Sequence, residues 1–281
     1  MSKIAIIGIA GESVFLSVDR FGVTGETTVA NGFHCELGGK GFNQAVAAAK
    51  YGSEVSFLGA AYSKDTKRFT RISEQFGIKA FFVGKQERSP YAVITTDSTG
   101  DNQVCVYRGA ELEERDVDLF EKEIISSQIL LITNETPISV NKLAVDIAKA
   151  NGVKVVLNPA PSTTLDKNYL SKIDLLTPNE HETGGLDDYQ NVIVTLGKKG
   201  CFFRETNELF PAAKADFVED TTGAGDTFNG VLCACIASGD SIKAACQKAN
   251  AAAAIKVGRK YILESIPTKK EIDEFMERKN G

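Results

Sequence analysis

Apolar residues occur along the chain in short continuous runs that alternate with segments of helical periodicity. The first run, Lys3–Ile9, contains four isoleucines, which predicts a strand buried on both faces. Similar patterns predict further strands at 54–60, 129–133, 153–157, 173–176 and 192–196, with helices at 66–76 and 138–150. Strands that alternate with helices are typical of an α/β protein with a doubly wound, mostly parallel sheet flanked by helices. We therefore expect a single α/β domain over residues 1–281.

Several β-prone segments fall outside this alternation. Residues 12–37 contain β-prone pieces, among them 27–29 and 33–37, and further pieces occur at 81–83, 91–96 and 104–107. Glycines punctuate the first of these regions, and Ser98–Asp101 has the composition of a hairpin turn. We predict that these pieces form a small antiparallel sheet inserted after the first strand.

The composition narrows the class of protein. With a net charge of −5 and a pI near 5.3, the chain does not have the basic balance of a nucleic-acid-binding protein. It contains no apolar run of about 18 residues, which a membrane span requires, and its N-terminus lacks the pattern of a signal peptide. Six cysteines form no CxxC pair, which indicates reduced thiols in a cytoplasmic protein. Partners other than small molecules leave no trace in the sequence.

The stretch DTTGAGDTFNGVL at 220–232 carries the strongest indication of chemistry. The apolar pattern of Phe228–Ile236 predicts an amphipathic helix that begins near Gly223 and Gly225. Free backbone N–H groups at a helix start bind anions, and small residues let a phosphate approach them. Asp226, in the first turn, suits a base that takes a proton from an attacking hydroxyl. The alternative is an acidic first turn that only complements the helix dipole.

A second glycine-rich stretch, GGKGFNQ at 38–44, precedes an alanine-rich helix that we expect to end at Tyr51, with Gly52 after it. The letters GGKG suggest a phosphate-binding P-loop, but that motif requires Ser or Thr where Gly41 stands. Paired glycines at a helix start indicate either a backbone that a ligand approaches closely or a packing turn. Asn43 can donate and accept hydrogen bonds at this position.

Polar residues recur where the predicted parallel strands end. The carboxyl ends of parallel strands share one edge of a sheet, and ligands bind there. Taken singly, each of these residues is equally well explained by helix capping or loop solvation. Their repetition at one edge favours a site; they are Asn134, Glu135, Asn158, Asn179, Glu182 and Thr195.

The order of these motifs resembles the ribokinase-like (PfkB) carbohydrate kinase family over nearly the whole chain. Two family signatures are present, as GGKGFNQAVAAAKYGSEVSFLGA at 38–60 and DTTGAGDTFNGVL at 220–232. Between them NPAP at 158–161, TPNEHE at 177–182 and VTLGKKG at 194–200 follow in the family's order. Either glycine motif alone would be weak; together with ordered connectors they are specific.

The resemblance implies an ATP-dependent kinase that phosphorylates a hydroxyl of a sugar or sugar-like substrate. Asp226 would be the catalytic base, and the backbone amides of Gly223, Ala224 and Gly225 would stabilise the transferred phosphoryl group. The acceptor pocket would comprise Gly11, Ser13, Gly38, Gly39, Lys40, Asn43, Glu135 and Asp226. The nucleotide would contact Asn179, Thr195, Gly197, Gly200, Gly225 and Asn250.

The resemblance also implies metal ions and a lid. Glu182 would organise Mg²⁺ through water, because this ion keeps much of its hydration. A monovalent cation such as K⁺ is left open: Asp220, Thr222 and Ser265 are suitable oxygen ligands, but Tyr261 stands where potassium-activated members have a glycine. The inserted segments at approximately 12–37 and 90–108 would form a lid that closes over the substrate. In several members of the family this lid pairs into a homodimer.

Two further departures concern the substrate and the sheet. Ribose kinases of the family have an Asn and an Asp where Gly11 and Ser13 stand, with Glu12 between them. A site that has lost two groups for binding hydroxyls is expected to disfavour ribose. Only nine residues, 183–191, separate the Glu182 element from the next strand, so we expect the helix usual in the family to be missing there.

Other functions fit parts of the pattern. A nucleoside kinase of the same fold would differ only in the acceptor pocket. A non-catalytic protein that binds sugar or nucleotide would not need Asp226 beside an anion site. A nicotinamide-dependent enzyme requires GxGxxG after the first strand, and Gly8–Gly11 does not supply it. The sequence leaves the acceptor, the cation dependence and the oligomeric state undetermined.

Overall fold

The structure, a computed structural model, describes residues 2–280. The strands are β1 Lys3–Ile7, β2 Gly11–Ser17, β3 Gly32–Gly38, β4 Glu54–Tyr62, β5 Ile78–Lys85, β6 Tyr91–Thr96, β7 Asn102–Tyr107, β8 Ile129–Thr133, β9 Lys154–Asn158, β10 Leu175–Leu176, β11 Ile193–Thr195, β12 Gly200–Phe203 and β13 Glu208–Pro211. The α-helices are α1 Lys40–Tyr51, α2 Thr66–Gln75, α3 Glu121–Ile125, α4 Ile138–Ala150, α5 Lys167–Leu170, α6 Ala224–Ala237, α7 Ile242–Lys256 and α8 Lys269–Asn280.

Six parallel strands form the central sheet, in the order β10-β9-β8-β1-β4-β5. In β1, Ile4 and Ile6 pack into one core with α1, α6 and α7, whereas Ala5 and Ile7 pack into a second core with α4. Both faces of the sheet are therefore covered, which is why β1 has a continuous apolar run. The predicted doubly wound parallel sheet flanked by helices is confirmed.

A four-stranded sheet, here called the lid, has the order β3-β2-β6-β7. The pairs β2–β3 and β6–β7 are antiparallel, but β2 and β6 run parallel, so the sheet is mixed. Two predictions about it were wrong. Residues 27–29 form no strand, and Phe81–Val83 lies in β5 of the central sheet, paired with β4 over eight residues. Alternation of apolar residues gave no indication of which sheet a strand joins.

A third sheet, β11-β12-β13, is antiparallel and extends the edge of the central sheet. Isolated parallel bridges join Leu176 to Val192 and Asn179 to Thr195. Between these bridges the segment 183–191 consists of turns and bends without a helix, as its length predicted. The polar residues that follow β10 are thereby held against β11.

Helix α6 is buried on all sides, and its predicted amphipathic character was wrong. Every residue from Asp226 to Cys235 is buried, because the helix packs between α1 and α7. The crossing with α1 is close: a Cβ at Gly230 would lie 2.3 Å from the backbone oxygen of Gln44. In the part of the chain that is described, no helix is both long and apolar enough to cross a membrane.

Candidate active site

Several of the predicted site residues lie at one edge of the central sheet. Strands β8, β9 and β10 end just before Glu135, at Asn158 and near Asn179. The N-termini of α1 and α6 bring Lys40 and Asp226 to the same edge. The arrangement follows from the parallel strands, whose carboxyl ends lie together and face the starts of the helices that follow them.

Two side-chain amides from α1 hold the Asp226 carboxylate. Asn43 Nδ2 donates to Asp226 Oδ2 at 2.9 Å, and Gln44 Nε2 donates to Asp226 Oδ1 at 3.1 Å. Gln44 Nε2 also lies 3.1 Å from Asn158 Oδ1, and Asn158 Nδ2 donates to the backbone oxygen of Thr177. The carboxylate is therefore oriented by a buried network that reaches into the central sheet.

Sequence reasoning identified Asn43 but assigned no role to Gln44. Gln44 is fully buried, and a buried amide must have hydrogen-bond partners. An indication was present in the sequence: a polar residue stands directly before the alanine-rich, buried part of a helix. Asn43 Oδ1 has no hydrogen-bond partner among residues 2–280 although it is buried, so it can accept a bond from a ligand.

Lys40 lies among three carboxylates. The nearby charge of Asp226, with smaller effects from Glu135 and Glu182, raises the pKa of Lys40 above its usual value despite burial. The backbone N–H of Lys40 donates to Glu135 Oε2 at 2.9 Å. Burial raises the pKa of Glu135 to about 7, with Lys40 opposing the shift and Asp226 adding to it. The site thus carries one fixed cation and a carboxyl group that titrates near neutral pH.

The start of α6 leaves room for an anion. Gly223 precedes the helix with φ 75°, and the first intrahelical bond runs from Thr227 N to Gly223 O. The amides of Gly225 and Asp226 come before that bond and have no acceptor within the helix. A Cβ at Gly225 would meet no atom within 4 Å. Ala224 was also predicted to bind the phosphoryl group through its backbone amide. That amide already donates to Thr221 O at 3.2 Å, so it is not free in the way that the amides of Gly225 and Asp226 are.

The glycines before α1 are required by the chain itself. A Cβ at Gly39 would lie 2.4 Å from the backbone oxygen of Ile9, and one at Gly38 would lie 2.3 Å from Ser13 Oγ. At Gly11 a Cβ would lie 2.2 Å from the backbone oxygen of Pro90. These contacts lie at the junction between β1, the lid and α1, and they fit the packing-turn alternative for the paired glycines. Their contact with a substrate stays a prediction.

The residues predicted to meet the nucleotide and Mg²⁺ lie on neighbouring segments. Glu182 Oε2 accepts from Asn179 N at 3.0 Å, and Asn179 Oδ1 accepts from His181 N at 2.8 Å. An isolated parallel bridge places Thr195, at the end of β11, beside Asn179. This short turn therefore holds Glu182 in a defined position next to the edge of the sheet.

The remaining nucleotide candidates differ in their surroundings. Gly197 has φ 53° and open space where a Cβ would stand, whereas a Cβ at Gly200 would lie 2.1 Å from the backbone oxygen of Phe210. The glycine at 200 is thus a requirement of the β12–β13 pairing. Asn250 Nδ2 donates to the backbone oxygens of Phe210 and Pro211 at 3.1 and 3.2 Å. Its amide holds α7 to β13, and its predicted contact with a base is not tested.

The loop 258–266 packs against the start of α6 from the lid side. A Cβ at Gly223 would lie 2.8 Å from Ile262 Cγ2. Glu36 of β3 accepts from the backbone N–H groups of Ile262 and Leu263 at 2.8 and 3.0 Å. Tyr261, with φ 63°, stacks on His34 with ring centroids 3.7 Å apart. The loop is therefore tied both to the anion site and to the lid.

Comparisons with known proteins agree with this geometry. The family model described as pfkB family carbohydrate kinase matches residues 1–269. A ribokinase from Haemophilus influenzae is 36% identical, and the match covers 98% of this chain and 98% of the relative.

Solved structures extend the comparison to the fold. A ribokinase from Thermotoga maritima superposes with a TM-score of 0.87 at 30% identity and covers 99% of this chain and 100% of that chain. The Arabidopsis thaliana ribokinase complexed with ribose and ATP superposes with a TM-score of 0.83 at 26% identity, covering 98% and 99%. The family match over nearly the whole chain, on a fold that brings its signature residues to one edge, shows that this chain belongs to the pfkB family of carbohydrate kinases.

Proposed function

We propose that this protein transfers the γ-phosphoryl group of ATP to a hydroxyl group of a sugar-like small molecule. The observation that carries the proposal is the position of Asp226 beside the open start of α6, where two amides orient its carboxylate. The relatives support ATP and a sugar as the substrates, since they include ribokinases and one of them was solved with ribose and ATP.

In the proposed reaction Asp226 accepts the proton of the acceptor hydroxyl. The hydroxyl oxygen then forms a bond to the γ-phosphorus, and the bond from that phosphorus to the bridging oxygen of ATP breaks, which releases ADP. Asn43 and Gln44 occupy one site on each carboxylate oxygen, and each oxygen keeps capacity for a further hydrogen bond. The base is thus oriented without being blocked.

The start of α6 and Lys40 supply the positive potential that the transferred group needs. The amides of Gly225 and Asp226 have no acceptor within the helix, and the space where a Cβ of Gly225 would stand holds no protein atom. Free amides at a helix start stabilise anionic oxygens. Lys40, which lies near Asp226, adds a full positive charge. Fixed donors of this kind contribute most when they are already oriented before the reaction.

The acceptor is expected between α1 and the end of β8. Asn43 Oδ1 is available as an acceptor, and the Glu135 carboxylate accepts from the backbone N–H of Lys40. Gly11 and Ser13 still stand where ribose kinases have Asn and Asp. Because a site that lacks these groups cannot bind the same hydroxyls, we expect ribose to be a poorer acceptor than in those enzymes.

The nucleotide phosphates and Mg²⁺ are proposed to meet Asn179, Glu182 and Thr195. No group of three His, Cys, Asp or Glu side chains suitable for a metal occurs within residues 2–280. A single carboxylate such as Glu182 fits Mg²⁺, which binds protein through one or two carboxylates and keeps several waters. The ion would neutralise charge on the phosphates of ATP when bound.

The exposed face of the lid supports a homodimer through this sheet. Apolar side chains at Val104 and Val106, which lie two residues apart and so on the same face of β7, are exposed over more than half of their surface. Large apolar patches on a soluble protein mark interaction sites, and a second copy of the chain provides a matching apolar patch. All six cysteines are free thiols, which supports the proposed location in the cytoplasm.

The proposed function is tested by measuring ADP release from Mg-ATP with a panel of sugars, sugar acids, sugar phosphates and nucleosides. A signal that depends on one of the sugars supports the proposal and identifies the acceptor. A signal with nucleosides alone would favour the alternative of a nucleoside kinase. Binding of ATP and sugar without ADP release would favour a non-catalytic binding protein.

A further inference from the structure

Lys256, at the end of α7, has none of its side chain exposed. A buried ammonium group is costly unless it is paired, and Lys is among the residues least often fully buried. Neither the sequence motifs nor the proposed reaction assigns a role to this lysine. Its position therefore requires an explanation.

The ammonium group of Lys256 binds the residue that begins the DTTGAGD stretch. Nζ donates to the backbone oxygen of Asp220 at 2.9 Å and lies 3.8 Å from Asp220 Oδ2. The same carboxylate accepts from Thr222 N at 2.8 Å and from Tyr261 N at 3.1 Å. Lys256 thus lies where the segment leading to α6 meets the loop 258–266.

This point coincides with the place left open for a monovalent cation. Both carboxylate oxygens of Asp220 already accept backbone N–H bonds. Ser265 Oγ is within hydrogen-bond distance of the backbone oxygens of Tyr261 and Ile262, at 2.9 and 2.7 Å. The ammonium group holds the Asp220 backbone oxygen and would repel a second cation at this carboxylate. The residues present do not fit a bound K⁺ beside Lys256.

We infer that Lys256 is a built-in monovalent cation, which holds Asp220 and the start of α6 in position and makes the protein independent of K⁺. The part of the inference that concerns turnover rests on the proposed kinase function. Lysine carries a compact point charge on a flexible stem, so its ammonium group can stand in for a single inorganic cation. Burial lowers the pKa of Lys256, and the carboxylates of Asp220, Glu36 and Asp226 oppose this shift and favour the charged form.

Lys256 acts through position and does not touch the reacting atoms. Its hydrogen bond fixes Asp220, whose carboxylate fixes the backbone at Thr222 and Tyr261. Thr222 directly precedes Gly223, the residue before α6, and Tyr261 directly precedes Ile262, which packs against Gly223. A shift of Asp220 would therefore displace the amides that face the transferred phosphoryl group, and small displacements of such donors reduce turnover.

The first test needs no variant. Turnover of the wild type with Mg-ATP and its best acceptor is measured in KCl, NaCl and choline chloride at equal ionic strength. We expect the three rates to agree within about twofold. Activation by K⁺ of about tenfold or more would overturn the inference while leaving the kinase function intact.

Two variants then separate charge from packing. Lys256→Ala opens a cavity beside Asp220, so we expect turnover in choline chloride to fall about tenfold or more and to recover in part with K⁺ or NH₄⁺. Lys256→Met fills the space without charge, so its loss should not recover. Lys243→Ala removes an exposed lysine from the same helix and serves as the control. Equal behaviour of the alanine variant in all three salts would contradict the inference.

A readout without turnover distinguishes failure of this inference from failure of the proposed function. The thermal midpoint of the wild type should be the same in KCl and in choline chloride, whereas that of Lys256→Ala should rise specifically with K⁺. If no acceptor is phosphorylated but this pattern appears, the cation inference stands without the kinase. A K⁺-specific rise of the thermal midpoint in the wild type would contradict the inference. Because this comparison uses the wild type alone, it tests the inference even when the alanine variant does not fold.

Discussion

Gln44 Nε2 lies 3.1 Å from Asp226 Oδ1, although the two residues are 182 positions apart in the chain. The same nitrogen lies 3.1 Å from Asn158 Oδ1 at the end of β9. One amide group thus joins the proposed base to the central sheet. Because Gln44 is fully buried, water cannot replace this bond without cost.

Replacement of Gln44 by leucine keeps the side-chain volume and removes both hydrogen bonds. Hydrogen bonds to charged groups contribute about 1.5–3 kcal/mol, so we expect kcat to fall roughly tenfold to a hundredfold. The KM for ATP should change little, since Gln44 has no proposed contact with the nucleotide. Ser73→Ala, which removes a buried hydrogen bond to Phe69 O in α2, should leave kcat unchanged; an equal loss in both variants would assign Gln44 a structural role only.

Asp226→Asn removes the proposed base and keeps its shape. A general base contributes about 10²- to 10⁴-fold to the rate, so turnover should fall by about 10²-fold or more. ATP binding, measured by titration calorimetry, should be retained. Asp240→Asn, beyond the other end of α6, is the control and should be active. Turnover near that of the wild type in the Asp226 variant would refute the catalytic assignment.

Gly225→Ala is expected to separate stability from activity. A Cβ at this position meets no atom within 4 Å, and alanine favours a helix by about 1 kcal/mol over glycine. The thermal midpoint should therefore stay or rise, while activity falls because the methyl group enters the space proposed for the phosphoryl group.

Gly230→Ala is the matched control in the same helix. Its Cβ would lie 2.3 Å from Gln44 O, so this variant should lose stability through overpacking, by about 1–3 kcal/mol or more. A fully active Gly225→Ala protein would argue against the proposed anion site.

Glu135 makes stability depend on pH in a defined direction. Its pKa is raised from 4.5 to about 7, so between these values the folded state holds a proton that the unfolded state has released. The free energy of unfolding should therefore fall as the pH rises through this window, by up to about 3 kcal/mol. Urea denaturation of the wild type and Glu135→Gln at several pH values measures the difference, which should flatten above pH 7; a constant difference throughout would contradict the shift.

The proposed homodimer can be disrupted at the lid. Lysine at both Val104 and Val106 places two charges on the exposed apolar face, where like charges from two copies would repel each other. Light scattering should show a dimer for the wild type and a monomer for the double variant. Leu209→Lys, which changes an exposed residue of β13, should remain dimeric, and a monomeric wild type would exclude the lid interface under those conditions.

Five of the six strands of the parallel sheet could be predicted from the sequence because each is a short apolar run within an alternation of strands and helices. The sheet to which an isolated strand belongs could not, since β5 and the lid strands show similar alternation. Helix α6 was misjudged for a related reason. Its partner α7 is alanine-rich and also buried, and periodicity within one helix does not reveal a second neighbour.

At the site, residues in contiguous motifs were predictable, whereas bonds between distant segments were not. Asp226 and Asn43 stand in the two signatures, but only the fold shows that they touch. Lys256 lies outside every motif, and its burial depends on the packing of α7 against the segment that contains Asp220. The glycines at 38 and 39 suggested a ligand, yet their immediate neighbours are Ser13 and Ile9.

The two hydrogen bonds that Glu36 accepts from the backbone N–H groups of Ile262 and Leu263 would limit the predicted closure of the lid. A rigid swing of the whole lid about Gly38 would break both bonds and leave a buried carboxylate without its donors. Closure that keeps them has to bend the strands beyond Glu36, toward Gly32 and the turns at the far end of the sheet. In such a closure the base of the lid would stay attached to the proposed catalytic edge, and the residues near Gly223 would keep their geometry.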